Sequence, residues 1–252
     1  WLSVRVMKGK DYSTLQKGAT GIAKRRLGPW ESALAYGGIV LVLLVVLSPH
    51  LGLLLLSFAR MWSYSVLPHT WTLANYATVF QDSSGMIRNT LLYCGLAALI
   101  DVAIGIAIAY LILRTKIPGR QWLDFVASAA IAVPGIVLAI GYLRTFQTVQ
   151  LWGVPVTQTW VLIMLAYSVR RLPYALRSCM AALQQINLSL EEAAEMLGAS
   201  KWRSVRRIVI PLMAGGILAG FVSSFITAAV ELSATILLVV KESQAPMSYG
   251  IY

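Results

Sequence analysis

Charge is scarce in this sequence, and acid scarcer still. Asp and Glu together number 10 in 252 residues, Lys and Arg 21, and the four types make up only 12% of the chain. A soluble domain carries about 25% charged residues, so this chain is not of that class. Cysteine is nearly absent. Cys94 and Cys179 stand in separate apolar segments, which excludes a disulfide framework and a zinc site and leaves them as small buried side chains. The two histidines, His50 and His69, stand apart and make no metal-ligand spacing. No GxxxxGK[ST] phosphate loop, HExxH or GxSxG occurs, so nothing supports an enzyme, and no catalytic or metal residue is assigned. The net charge of +11 is not that of a nucleic-acid binder, because the basic residues fall between apolar blocks rather than along one polar face. A cleavable signal pattern is also missing, since about thirty mostly polar residues precede the first apolar block. The chain opens on Trp1 and stops at Tyr252 inside a polar run, which reads as a piece of something longer.

What is present is apolar: 58% of all residues, gathered into long blocks. A membrane span needs roughly 20 such residues. The blocks predict an all-α integral membrane protein, a polytopic helical bundle with spans at about 33–58, 91–113, 123–146, 154–183 and 208–230. The fourth is the weakest, because its apolar part ends at Val169 and it must continue as helix past Arg170 and Arg171, which would snorkel to the headgroups. A sixth helix is expected beyond Tyr252. Trp62, Tyr64, Trp71 and Tyr76 follow the first span as interfacial aromatics do.

Lys and Arg in short flanking segments set orientation. Arg5, Lys8, Lys10, Lys17, Lys24, Arg25 and Arg26 precede the first span, and Arg114, Lys116 and Arg120 separate the second from the third. Arg170, Arg171, Arg177, Lys201, Arg203, Arg206 and Arg207 fall to the segment between the fourth and fifth. The opposite side holds only Arg60, Arg88, Arg144 and Lys241. The N-terminus, a basic linker over 1–30, and the loop 187–207 are therefore expected in the cytoplasm, and 31–252 is the membrane domain.

That loop is the most informative stretch. Ser189 and Glu192 have capping-box spacing, and Glu191 and Glu192 suit the positive end of a helix dipole. Leu190, Ala193, Ala194 and Leu197 follow helical spacing as one apolar face, with Glu191, Glu192 and Glu195 on other faces. Gly198 stands where a left-handed terminator belongs. A two-turn amphipathic helix follows, fit for a partner's groove or for lying on lipid; the residues leave both readings open.

Glu192-Ala193-Ala194, Gly198, Ile208 and Ile210-Pro211 resemble the EAA loop of ABC importer permeases, with every spacing kept and Ile210 in place of Leu. The resemblance extends to Arg114–Arg120, to Val133–Leu138 as a broken helix, and to Tyr12–Leu27, which is similar to the linker of fused two-half permeases. It implies the type I importer (MetI-like) fold in a bacterial inner membrane. Glu192, Ala193, Ala194, Gly198, Ile208 and Pro211 would then be ATPase-docking positions. The implied partners are ABC ATPase subunits, a second permease half fused upstream, an extracytoplasmic binding protein and the bilayer. No cofactor is expected in this chain, since ATP and Mg would be bound by the ATPase. The end, Lys241–Tyr252, resembles the ferric-iron subgroup most; thiamine, aminoethylphosphonate and polyamine permeases are the alternatives.

Inside the spans, Pro134-Gly135 removes a backbone hydrogen bond mid-helix, as a pathway lining or as a packing kink. Asp101 is the one mid-span acid, either functional or hydrogen-bonded to a neighbouring helix. Glu231 would border the pathway mouth or be an ordinary interfacial carboxylate. Gly216 and Gly220 form a GxxxG packing pair, widened by Gly215. An ion-coupled secondary transporter is the rival class, since broken helices and an intramembrane acid suit it too.

Overall fold

The computed structural model describes residues 27–250. The basic linker predicted over 1–30 therefore lies almost wholly outside the described residues. Two parts of the chain, up to Leu73 and from Ala74 onward, are compact by themselves.

The first part is one long helix and a small hairpin. α1 (Pro29–Phe58) is apolar all round and has no buried residue, as a helix facing lipid would. Pro49 within it cannot donate to the Val45 carbonyl, and the Ser48 hydroxyl donates to that carbonyl instead, at 2.8 Å. After α1, β1 (Ala59–Met61) pairs antiparallel with β2 (Thr70–Trp71). Between the strands the Trp62 indole donates to the Ser65 carbonyl at 2.9 Å, while Tyr64 is fully exposed.

The second part is a helical bundle. α2 (Ala74–Asp82) leads into α3 (Ser84–Arg114), which is about 46 Å long at 1.5 Å per residue and exceeds the ~30 Å hydrocarbon layer. The predicted third span is a broken helix, as the resemblance over Val133–Leu138 implied. It breaks at Val133-Pro134 into α4 (Arg120–Ala132) and α5 (Gly135–Thr145), set at 106°. A short hairpin pairs β3 (Gln150–Leu151) with β4 (Val154–Pro155), and β4 with a 3-10 turn at Val156–Gln158 occupies the start of the predicted fourth span. Its helix, α6 (Trp160–Gln184), begins only at Trp160, yet runs unbroken through Arg170, Arg171 and Arg177. Those three arginines are thus helix residues and not loop residues. Of the loop's basic set, only Lys201, Arg203, Arg206 and Arg207 lie beyond α6.

The loop helix α7 (Ser189–Met196) is followed by α8 (Lys201–Leu212), and a 68° bend at Met213 separates α8 from α9 (Ala214–Ala229). The predicted fifth span is accordingly bent, and its straight part is about 24 Å. Val205–Val209 in α8 is wound as a π-helix just before Pro211, whose missing N–H leaves a ladder bond unmade there. The chain then folds back through α10 (Thr235–Leu238), a 3-10 turn at Glu242–Gln244 and α11 (Met247–Gly250). Asn89 ties this return to α3, its Nδ2 donating to the carbonyls of Ser243 (2.9 Å) and Ala245 (3.1 Å).

Two apolar clusters mark the ends of the bundle. One joins Tyr93 and Ala97 of α3, Ala139 of α5, Ile163 and Tyr167 of α6, Ala228 of α9 and Leu238 of α10. The other joins Ala109 of α3, Ala127 of α4, Cys179 and Leu183 of α6, and Val209 and Met213. Each long segment therefore runs from one cluster to the other, in alternating sense. The broken pair α4–α5 does so too: it starts at the second cluster and ends, with Tyr142 and Phe146, at the first.

Small residues let the helices close up, which matters where lipid supplies no hydrophobic drive between them. A Cβ on Gly216 would stand 2.3 Å from the Ala182 Cβ, and one on Gly220 would stand 3.2 Å from the Ala175 Cα. Gly105 meets the backbone of Leu176 at 3.2 Å in the same way, a contact that sequence reading missed. Gly215 has open space instead and does not widen the packed face.

Candidate functional site

Three places in the bundle hold the chemistry-bearing residues. The first is the loop helix α7. Asn187 starts it: its Oδ1 accepts from the Ser189 backbone N–H at 3.0 Å. Ser189 is already helical, so the predicted Ser189–Glu192 capping box is not formed. The stop is as predicted. Gly198 has φ +85°, with its N–H on the Glu195 carbonyl and the Ala199 N–H on the Ala194 carbonyl, which is the Schellman pattern. Leu190 is 46% exposed and Leu197 89%, so much of the apolar face is turned outward in this chain. Glu192, Ala193 and Gly198 are exposed and Ala194 is half-buried. Further on, in α8, Ile208 is half-buried and Pro211 exposed.

Glu191 departs from its predicted place. It is the one buried residue of α7 and points into the bundle end. Arg114 Nε donates to its Oε1 at 2.7 Å, and the Tyr110 hydroxyl donates to its Oε2 at 3.1 Å. Arg114 Nη2 donates further to the carbonyls of Leu183 and Ile186 at the end of α6. Sequence carried a faint signal for this: Glu191 and Leu190 are adjacent, so the carboxylate lies one helical step from the apolar face.

The second place is a buried carboxylate between the two apolar clusters. Asp101 of α3 is fully buried. The Ser168 hydroxyl of α6 donates to its Oδ1 at 2.6 Å, and the Ser224 hydroxyl of α9 donates to its Oδ2. One side chain thus ties three helices, with both oxygens engaged as a buried carboxylate requires.

Third comes a cluster at the helix break. Glu231, which sequence placed at the pathway mouth or at the interface, is only 4% exposed. Arg170 donates to its Oε1 at 2.8 Å, Arg171 donates to its Oε2, and the Ala234 backbone N–H also donates to Oε1. The arginines do not snorkel to headgroups; they turn inward because this carboxylate offers bonds that lipid cannot. Gly135, directly after Pro134, lies under Arg170. A Cβ there would stand 2.3 Å from Arg170 Nη1 and 2.8 Å from the Ser233 Cβ. The Pro134-Gly135 break and Glu231, far apart in sequence, therefore meet at one spot. Arg170 and Arg171 are the residues that sequence reading missed there.

Beside these places are two grooves. One of about 520 Å³ is lined by Ser128, Tyr174, Arg177, Ser178 and Ser223 among others. The second, about 790 Å³, lies beside the loop, between Asn187 and Leu190 on one side and Leu212, Gly215 and Gly216 on the other.

Comparison with known proteins accords with this arrangement. A ferric transport system permease protein of Actinobacillus pleuropneumoniae is 32% identical over 198 residues, covering 77% of this chain and 28% of that protein. The chain thus spans under a third of that relative. The sulfate transport system permease protein CysT of Escherichia coli is 26% identical over 227 residues, covering 86% and 78% of the two chains. Among solved structures, a bacterial alginate ABC transporter in complex with an alginate pentasaccharide-bound periplasmic protein shares the fold, with a TM-score of 0.61 at 20% identity. That match covers 88% of this chain and 81% of the other. Residues 101–246, from the buried Asp101 to the return after α10, match the family described as binding-protein-dependent transport system inner membrane component, and this chain belongs to that family of ABC importer permeases.

Proposed function

We propose that the chain forms part of the substrate pathway of an ATP-driven importer and couples it to a separate ATPase. The observation that carries this reading is the loop helix α7. It is started at Asn187, stopped at Gly198, and turns much of its apolar face away from the bundle, at the end where the membrane helices meet. Glu192, Ala193, Ala194 and Gly198 form the docking element, with Ile208 and Pro211 after it. The secondary-transporter reading gives way to the family match.

Orientation follows the loop. α7 and Arg114 lie on the cytoplasmic side with the N-terminus, and the return through α10 and α11 lies outside. Alternating access is the proposed mechanism: the ATPase biases one of two bundle states by contacting them differently. Pro134, Gly135, Glu231 and Asp101 then occupy the part of the bundle that rearranges. Ferric iron is the proposed substrate, supported by the similarity to the ferric relative; the similarity to the sulfate permease supports an oxyanion as the second reading. A binding protein outside and a second permease half complete the assembly.

The test is co-purification in mild detergent of the full protein from its own membranes. Recovery of a P-loop ATPase, lost when Gly198 is replaced by Ile, supports docking through α7. Repeated recovery with no ATPase overturns it.

A further inference from the structure

Among the exposed residues of α7, Glu191 is the exception, and it is where the loop is held. Leu188, Leu190, Met196 and Leu197 are all exposed, whereas Glu191 is 5% exposed. Its carboxylate meets Arg114, the last residue of α3, and Tyr110 one turn earlier. The same guanidinium reaches Ile186 O at 2.7 Å and Leu183 O at 3.2 Å, the carbonyls that close α6. One arginine therefore joins the ends of α3 and α6 to the start of α7. On another flank Leu190 lines the 790 Å³ groove that also borders Leu212 and Gly216.

We propose that the Arg114–Glu191 pair is the positioning link by which displacement of the loop enters the bundle, through α3 and α6. The proposal rests on the docking role of α7 proposed above. A largely buried, charge-assisted pair suits the task because it is shorter and stronger than a neutral bond, and because separating it leaves Glu191 without its charged partner. An exposed ion pair would slip under load. Arg114 is also fixed by two carbonyls, so pulling on Glu191 moves the end of α3 and not merely a side chain.

The experiment uses the full protein with its co-purified ATPase, with Cys94 and Cys179 replaced by alanine and a reporter cysteine at Ser128 in the 520 Å³ groove. Maleimide labelling of the reporter is compared without nucleotide and with ATP plus vanadate. Glu191→Gln is expected to keep the ATPase bound and hydrolysing while the nucleotide-driven change in labelling falls about fivefold or more, the lower end of a typical coupling effect. Arg114→Lys, which keeps the charge but not the fork, should fall between Glu191→Gln and the parent. Arg114→Gln, which breaks the same pair from the α3 side, provides a second variant if Glu191→Gln fails to insert, and should reduce the change in the same direction. Unaltered labelling change in Glu191→Gln, or in Arg114→Gln if that variant has to replace it, overturns the link. So does loss of the ATPase from an inserted Glu191→Gln protein, since Glu191 would then belong to the docking surface. Absence of any ATPase from the parent is a different failure and strikes the docking role itself.

Discussion

Arg170 lies so close over Gly135 that a Cβ added at 135 would stand 2.3 Å from its Nη1. That contact explains why the helix break and the buried Glu231 belong together. Without a side chain at 135, the guanidinium passes over the break and reaches the Glu231 carboxylate at 2.8 Å.

Gly135→Ala should displace Arg170 and press on Ser233, whose Cβ cannot swing away as a guanidinium can. Overpacking of this kind costs about 1–3 kcal/mol. A thermal melt of the detergent-solubilised protein should show the loss, and unchanged stability would mean that the break relaxes freely.

Glu231→Gln leaves two half-buried arginines facing a neutral amide. Breaking a buried pair from one side costs about 3–5 kcal/mol, so this variant should be among the least stable. Adding Arg171→Leu should recover part of the loss, since one unpaired charge is removed. A double-mutant cycle read by melting checks it, and strict additivity would contradict the shared carboxylate.

Asp101 gives a test that separates its two readings. Ser168→Ala or Ser224→Ala alone should cost about 1–3 kcal/mol, the penalty for a buried acceptor left unsatisfied. Asp101→Asn keeps the shape and retains bonds to hydroxyls that can also accept. If the residue is only a tie between helices, Asp101→Asn should transport normally; uptake lost at unchanged stability would assign it to the pathway.

The glycine pair on α9 offers an internal control. Gly216→Val places a branched side chain where even a Cβ falls 2.3 Å from Ala182, and should prevent α9 from seating on α6. Gly215→Val, one residue earlier with nothing within 4 Å, should leave the melt within about 0.5 kcal/mol of the parent. Equal effects at both sites would mean that β-branching in the helix matters and packing does not.

By itself the sequence determined the class of the protein and where its loop helix lies and stops. Apolar block length is a local property, and so is the glycine signal that stops α7; neither depends on what packs nearby. Pro134 and the Gly216–Gly220 spacing were readable for the same reason, since a missing N–H and a missing Cβ act where they stand. Only the tertiary structure decided what the charged residues do. Arg170 and Arg171 look like span-ending residues, and Glu231 like an interfacial one, until the fold sets them against each other across 60 positions or more. Glu191 looks like a solvated neighbour of Glu192 until α3 delivers Arg114 to it. In a membrane an ion's place follows from the partner that satisfies it, because the surrounding lipid offers none, and sequence spacing carries no record of a partner that distant.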